Sequence, residues 1–384
     1  MDCNEYSNFA SGFYPSKFDA SKWAEIFKKA GARYVTITSR HHDGFSMFHS
    51  DASSYNVVDA TPFGRDVIGE LSRALSKEGL ALNLYYSHLD WGRDDYWPRG
   101  STSKENGRPE GHPGDWEHYL DFIDAQLSEL LTSYGPLGAI WFDGIWDKKN
   151  DVDGRDEQPR IWHLYEQYEL IHSLQPSCLV ANNHHLAPFP QEDIQVFERD
   201  VPGKNEAGYS QTSVISDSLP LETCQTICYA WGYDANGIYP KPLNDLLQLL
   251  VSTAGKGANL LLNIGPRPDG TIPQQCVDRL MEIGGWLEKY GETIYDTDAG
   301  LTGEQPWGCS TQKGDKLYLH ITGDAQQIEI PLGSKANRLL SAVTFDGGEP
   351  VPFTQTKSSI TISAPSRGDE ADKIVVLSFK KDLK

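Results

Sequence analysis

Seven short apolar runs, separated by helix-like stretches, constrain this chain most. They are Tyr34-Val35-Thr36-Ile37-Thr38, Leu82-Asn83-Leu84-Tyr85-Tyr86, Ala139-Ile140-Trp141-Phe142, Cys178-Leu179-Val180-Ala181, Ile194-Gln195-Val196-Phe197, Thr226-Ile227-Cys228-Tyr229 and Leu260-Leu261-Leu262-Asn263-Ile264. Most are too apolar to keep one face in water, which fits a parallel sheet covered on both sides. Between several of them the apolar period becomes helical. Asp19 is placed to cap a helix carrying Trp23, Ile26, Phe27 and Ala30. A second helix carries Tyr119, Phe122, Ile123, Leu127 and Leu130, and a third carries Leu243, Leu246, Leu247 and Leu250 and closes at Gly255. Strand and helix in alternation imply an α/β fold with right-handed crossovers. The links from Ala181 to Ile194 and from Arg199 to Glu222 hold no helical period, so the expected barrel lacks outer helices on one side.

After Tyr290-Gly291 the pattern changes to alternation with Gly, Asp and Pro turns, as in Lys316-Leu317-Tyr318-Leu319-His320-Ile321 and Ile374-Val375-Val376-Leu377. That predicts an antiparallel β-sandwich. The expected division is a catalytic barrel domain over 1–295 and a sandwich domain over 296–384. The polar, Pro/Gly-rich segment from Gly92 to Asp115 reads as a long loop over one end of the barrel.

In a parallel barrel, chemistry sits at the C-terminal ends of strands. Trp141-Phe142-Asp143-Gly144 puts a carboxylate there, with an indole two positions back on the same strand face. An Asp in that place is a nucleophile beside a wall for a sugar ring, or else a cap for the next helix. Glu198, at the end of another strand, is the candidate second carboxylate, because glycoside cleavage needs two facing one bond. Asp200 and Glu222 are its rivals, Glu222 the weaker because it opens a strand. Arg40-His41-His42-Asp43 follows the first strand. Its two His residues suit hydroxyl binding, loop structure or a metal. No other His/Asp set has the spacing to complete three ligands, so no metal and no organic cofactor is expected. Either Tyr85 or Tyr86 points inward, not both. Trp231 follows another strand and suits the apolar face of a deoxy sugar.

Formal charge is −20, which disfavours nucleic acid and anionic membrane and favours a neutral substrate. No apolar run reaches the ~20 residues of a membrane span. The six Cys lack paired metal spacing and read as buried free thiols. The first residues carry no signal-peptide pattern, so a cytoplasmic location is expected.

Several segments together resemble one family, the α-L-fucosidases of glycoside hydrolase family 29. They are Phe18-Asp19-Ala20, Thr38-Ser39-Arg40-His41-His42-Asp43-Gly44-Phe45, Tyr85-Tyr86-Ser87, Trp141-Phe142-Asp143-Gly144, Leu221-Glu222-Thr223-Cys224, Trp231-Gly232-Tyr233 and Leu261-Leu262-Asn263-Ile264-Gly265-Pro266. The resemblance implies an irregular (β/α)8-like TIM barrel with a C-terminal sandwich. It implies a retaining, exo-acting enzyme that removes terminal α-L-fucosyl residues from fucosylated glycans, with transfucosylation as a side course. It places the nucleophile on Asp143 and, less securely, the acid/base on Glu198. It assigns His41, His42, Tyr86, Trp141 and Trp231 to fucose. Where the family has Asn-Asp-Arg this chain has Asn182-Asn183-His184, so the expectation is either that His184 takes a polar role there or that the contact is lost. The family's first strand, with its His-Trp-Gly run, has no counterpart ahead of Phe13. Seven strands are therefore expected where the fold has eight; a truncated first strand, another element or a neighbouring subunit accounts for the gap, and a homo-oligomer is the favoured expectation. The alternative is a fucose-binding protein without turnover on the same scaffold.

Overall fold

The computed structural model describes residues 3–96, 114–146, 157–332, 338–381 and 383. Most of the expected loop from Gly92 to Asp115 lies outside the described residues. Helices and strands follow in the order α1 (Cys3–Ser7), α2 (Ala20–Lys29), β1 (Tyr34–Arg40), α3 (Val67–Glu78), β2 (Ala81–Ser87), α4 (Trp116–Ser133), β3 (Ala139–Asp143), α5 (Gln158–Ile161), α6 (Leu164–Leu174), β4 (Leu179–Asn182), β5 (Gln195–Glu198), β6 (Leu221–Thr226), α7 (Leu243–Gly255), β7 (Ala258–Asn263) and α8 (Gln274–Tyr290). Three helix starts share one device. Asp19, Asp66 and Asp115 accept the Lys22, Gly69 and His118 backbone N–H groups at 3.0, 2.7 and 3.1 Å, satisfying donors that a first helical turn leaves free.

Strands β1 to β4 pair in parallel and in sequence order, as do β5 to β7. A parallel bridge from Ala181 to Ile194 joins the two groups into one curved wall. Strand β3 is buried along its whole length. Its outward residues pack against a core built largely from α3, α4 and α6, including Leu71, Leu75, Ile123, Leu127, Leu130 and Tyr168. No helix lies between β4 and β5 or between β5 and β6, as the sequence implies. Between β7 and β1 the described wall does not close. Residues 34–38 and 258–264 face each other across one cleft of about 2010 Å³, which runs into the mouth of the barrel.

One strand is displaced from its expected position. The apolar run Thr226–Tyr229 is not the strand; β6 occupies Leu221–Thr226 and stops there. Its inward residues are polar because they meet partners inside the barrel: buried Glu222 accepts from Tyr34 Oη and, at 2.8 Å, from Trp141 Nε1. A partnered buried carboxylate hides the strand from a search for apolar runs.

The remaining strands are β8 (Asp298–Ala299), β9 (Gly308–Lys313), β10 (Lys316–Ile321), β11 (Gln327–Pro331), β12 (Leu339–Thr344), β13 (Phe353–Gln355), β14 (Ser359–Ser363) and β15 (Lys373–Phe379). They form two antiparallel sheets, β12-β15-β10-β9-β8 and β11-β14-β13. The alternating residues Leu317, Leu319, Ile321, Val375 and Leu377 fill the core between the sheets with Ile328, Ile330, Ile360 and Ile362. Thr311 Oγ1, donating to the Thr293 carbonyl at 2.6 Å, ties this unit to the end of the barrel segment. Cys178, Cys224, Cys276 and Cys309 are buried free thiols, and Cys228 is half-buried. No described helix is long and apolar enough to cross a membrane.

Candidate active site

The strand ends converge on one cup. From the segment just after β1 come His41 and His42, from β2 Tyr85, from β3 Trp141 and Asp143, from the turn after β4 Asn183 and His185, and from β5 Glu198. On β3 alternation brings Trp141 and Asp143 to the same face, since residues two apart on a strand share a face. Gly144, at φ +92°, turns the chain directly after Asp143. A Cβ there would meet the Leu89 side chain at 2.9 Å and its backbone N at 3.2 Å, so the turn needs glycine.

Three rings stack along one wall. Tyr85 lies over His41 with centroids 5.1 Å apart at 8°, and over Trp141 at 5.5 Å and 25°. Tyr85 Oη donates to Asp143 Oδ2 at 2.7 Å. Asn183 Nδ2 carries two hydrogens and directs them to two acceptors, Glu198 Oε2 at 2.8 Å and Asp143 Oδ1 at 3.4 Å. Those acceptors share one nitrogen, so they can be no farther apart than about 6 Å. That bound on the nearer oxygens is compatible with the ~5–5.5 Å of a double-displacement pair.

Burial drives the electrostatics. It pushes Asp143 up to about 7, and the neighbouring Glu198 adds to the rise, while the Tyr85 hydroxyl, Asn183 and the Gly144 N–H oppose it. Burial also lowers His42 to about 2, with His41 and Arg40 adding to the effect, so its imidazole is neutral. Ser87 Oγ donates to the Leu89 carbonyl at 3.0 Å and lies 2.6 Å from His42 Nδ1. With the hydroxyl proton committed to Leu89, Nδ1–H is the donor to Ser87. His42 Nε2, 3.9 Å from Asp143 Oδ2, is left as an acceptor for a substrate hydroxyl. Arg40, fully buried, pairs with buried Asp90 and donates to the Ser87 carbonyl at 2.7 Å, which fixes the β1 and β2 ends that carry these groups.

Trp231 stands at the rim, 36% exposed, with the Arg199 guanidinium 4.9 Å over its ring. Two expected site residues are elsewhere. Tyr86 faces the helices, fully buried, its hydroxyl donating to Gln126 Oε1 at 2.8 Å. Tyr85 takes the place assigned to it. His184 is buried beneath the cup, its Nε2 2.9 Å from Glu192 Oε1 and its Nδ1 accepting from the Leu186 N–H at 3.0 Å. The next residue, His185, reaches the cup, with Nε2 3.6 Å from Glu198 Oε2. The rival carboxylates are committed elsewhere: Glu222 to Tyr34 and Trp141, Asp200 to the Glu206 and Ala207 N–H groups at 3.2 and 2.9 Å. Among the described residues no three His, Cys, Asp or Glu side chains are grouped to hold a metal ion.

The family model for Alpha-L-fucosidase matches residues 2–292. An α-L-fucosidase from Dictyostelium discoideum is 31% identical over 387 residues, covering 94% of this chain and 76% of its own length. The solved α-L-fucosidase isoenzyme 1 from Paenibacillus thiaminolyticus has a TM-score of 0.80 at 29% identity, covering 99% of this chain and 91% of that one. An α-fucosidase from Thermotoga maritima, solved in complex with a mechanism-based inhibitor, has a TM-score of 0.72 at 27% identity, covering 97% and 82%. The chain belongs to the α-L-fucosidase family.

Proposed function

We infer that the protein is a retaining, exo-acting α-L-fucosidase that removes terminal α-L-fucosyl residues from glycans, with Asp143 as nucleophile and Glu198 as acid/base. The shared Asn183 amide carries this reading, because it bridges the two carboxylates and keeps them close enough to face one glycosidic bond. Ionised Asp143 attacks the anomeric carbon as the bond to the leaving oxygen breaks, and Glu198 gives that oxygen its proton. Glu198 then takes a proton from water, whose oxygen displaces Asp143 and restores the free carboxylate. An acceptor hydroxyl in place of that water gives transfucosylation. His42 Nε2 accepts from a sugar hydroxyl beside Asp143, and the stacked rings of His41, Tyr85 and Trp141 supply an apolar wall for the sugar. The complex of the Thermotoga relative with a mechanism-based inhibitor supports a covalent course here. No observation favours binding without turnover.

Azide rescue separates the two roles. With an aryl α-L-fucoside, Glu198→Ala is expected to regain activity with azide and to give a fucosyl azide of retained configuration. Rescue of Asp200→Ala instead would move the acid/base role. Among the described residues β1 and β7 pair with no strand on their outer edges, which further supports a homo-oligomer in which a second copy covers the cleft between them.

A further inference from the structure

We infer that the Tyr209 ring, backed by His185, is the wall of the subsite for the leaving-group sugar, so that it sets how well a fucosyl disaccharide is turned over relative to a fucoside without a leaving-group sugar. The inference rests on the reading of Glu198 as acid/base. An acid must touch the glycosidic oxygen, so the leaving group emerges on that residue's side of the cup. The wall on that side is specific. His185 Nε2 lies 3.6 Å from Glu198 Oε2, and its ring stacks on Tyr209 with centroids 5.7 Å apart at 23°. Both rings line the cleft, and Tyr209 is 43% exposed. A flat ring beside the exit suits the C–H face of a pyranose and offers a hydroxyl at its edge.

The stack is built in advance. His185 sits at φ +63°, a left-handed conformation that costs energy for a residue with a side chain and that clusters at binding sites. Its carbonyl accepts the Gln211 N–H at 2.8 Å, which ties its turn to the segment bearing Tyr209. That segment is pinned from within. Asp200 holds the Glu206 and Ala207 N–H groups, and Asn205 exchanges two hydrogen bonds of 3.0 Å with the Ser210 backbone. Asp200 is therefore a positioning residue for the aromatic wall. Less ordering entropy is then lost when a sugar docks on it.

The test compares kcat/KM on fucosyl disaccharides of several linkages with kcat/KM on α-L-fucosyl fluoride, whose leaving group carries no sugar. For the best disaccharide, the ratio to fluoride is expected to fall about tenfold in Tyr209→Ala, the worth of one stacked ring. Tyr209→Phe, which keeps the ring, is expected to hold the ratio within about twofold of wild type. An unchanged ratio in Tyr209→Ala overturns the subsite, as does wild-type turnover of the fluoride with none of any disaccharide. Wild-type inactivity on both substrates is a different failure, that of the fucosidase reading itself.

Discussion

Asp143 is placed where its own charge is costly, and that has measurable consequences. Its folded-state value, about 7, lies above the ordinary 3.8, so the protonated carboxyl favours the fold. This stability is fully present below about pH 4 and is lost as pH rises through about 7. Asp143→Asn has no such loss. It is expected to be more stable than the parent by on the order of 2–4 kcal/mol at pH 8, a gap that shrinks toward pH 4 in thermal melts, while kcat falls at least about 10³-fold. The Tyr85 hydroxyl lowers Asp143, so Tyr85→Phe should move the acidic limb of the kcat/KM profile to higher pH. A limb that stays in place would detach Tyr85 from the nucleophile. Asp143, Glu198, His41, His42, Trp141 and Trp231 were legible in the sequence as cup residues, whereas Tyr85 and His185 were each missed by one position. In β2 a signal was available. Leu82, Leu84 and Tyr86 share the helix-facing phase, and Asn83, Tyr85 and Ser87 share the polar phase that faces the barrel. Around His185 there was none, because turn geometry follows from tertiary contacts.

At the scale of elements, the cup depends on how strand ends are held. Arg40 and Asp90 form a buried ion pair that joins the end of β1 to the segment after β2. Asp90 also accepts the Gly92 and Arg93 N–H groups at 2.7 and 2.9 Å. Arg40→Ala leaves that carboxylate buried without its cation, an expected loss of about 3–5 kcal/mol in urea unfolding. Arg40→Ala/Asp90→Ala should cost less than the two single losses combined, and strict additivity would show that the pair is not coupled. The elements themselves were largely visible, because parallel strands buried on both faces leave continuous apolar runs. Strand β6 was the exception. Glu222 stands at its start, as the sequence implies, but Thr223, Gln225 and Thr226 form no apolar run, and the partners that let Glu222 be buried, Tyr34 and Trp141, come from other strands.

At the scale of the whole molecule, six of the seven parallel strands are readable as continuous apolar runs, and the following sandwich is readable as alternation. The cleft was readable only as a deficit of one strand, since no local pattern records how a sheet closes on itself. Its volume, about 2010 Å³, is well beyond what a deoxyhexose occupies, because the cup and the opening between β1 and β7 are continuous. If a second copy covers those edges, light scattering should give a multiple of 42.8 kDa, and a strictly monomeric mass at micromolar concentration would contradict that covering. The chemistry stands or falls on whether Asp143 becomes covalently bonded to the sugar. The most direct measurement is peptide mass mapping after incubation with a 2-deoxy-2-fluoro-α-L-fucosyl fluoride, which forms the glycosyl-enzyme faster than the intermediate hydrolyses. The expected result is one fluorofucosyl adduct per chain on the peptide containing Trp141-Phe142-Asp143-Gly144. An adduct on any other carboxylate, or turnover of α-L-fucosides with inversion and no adduct, would contradict it.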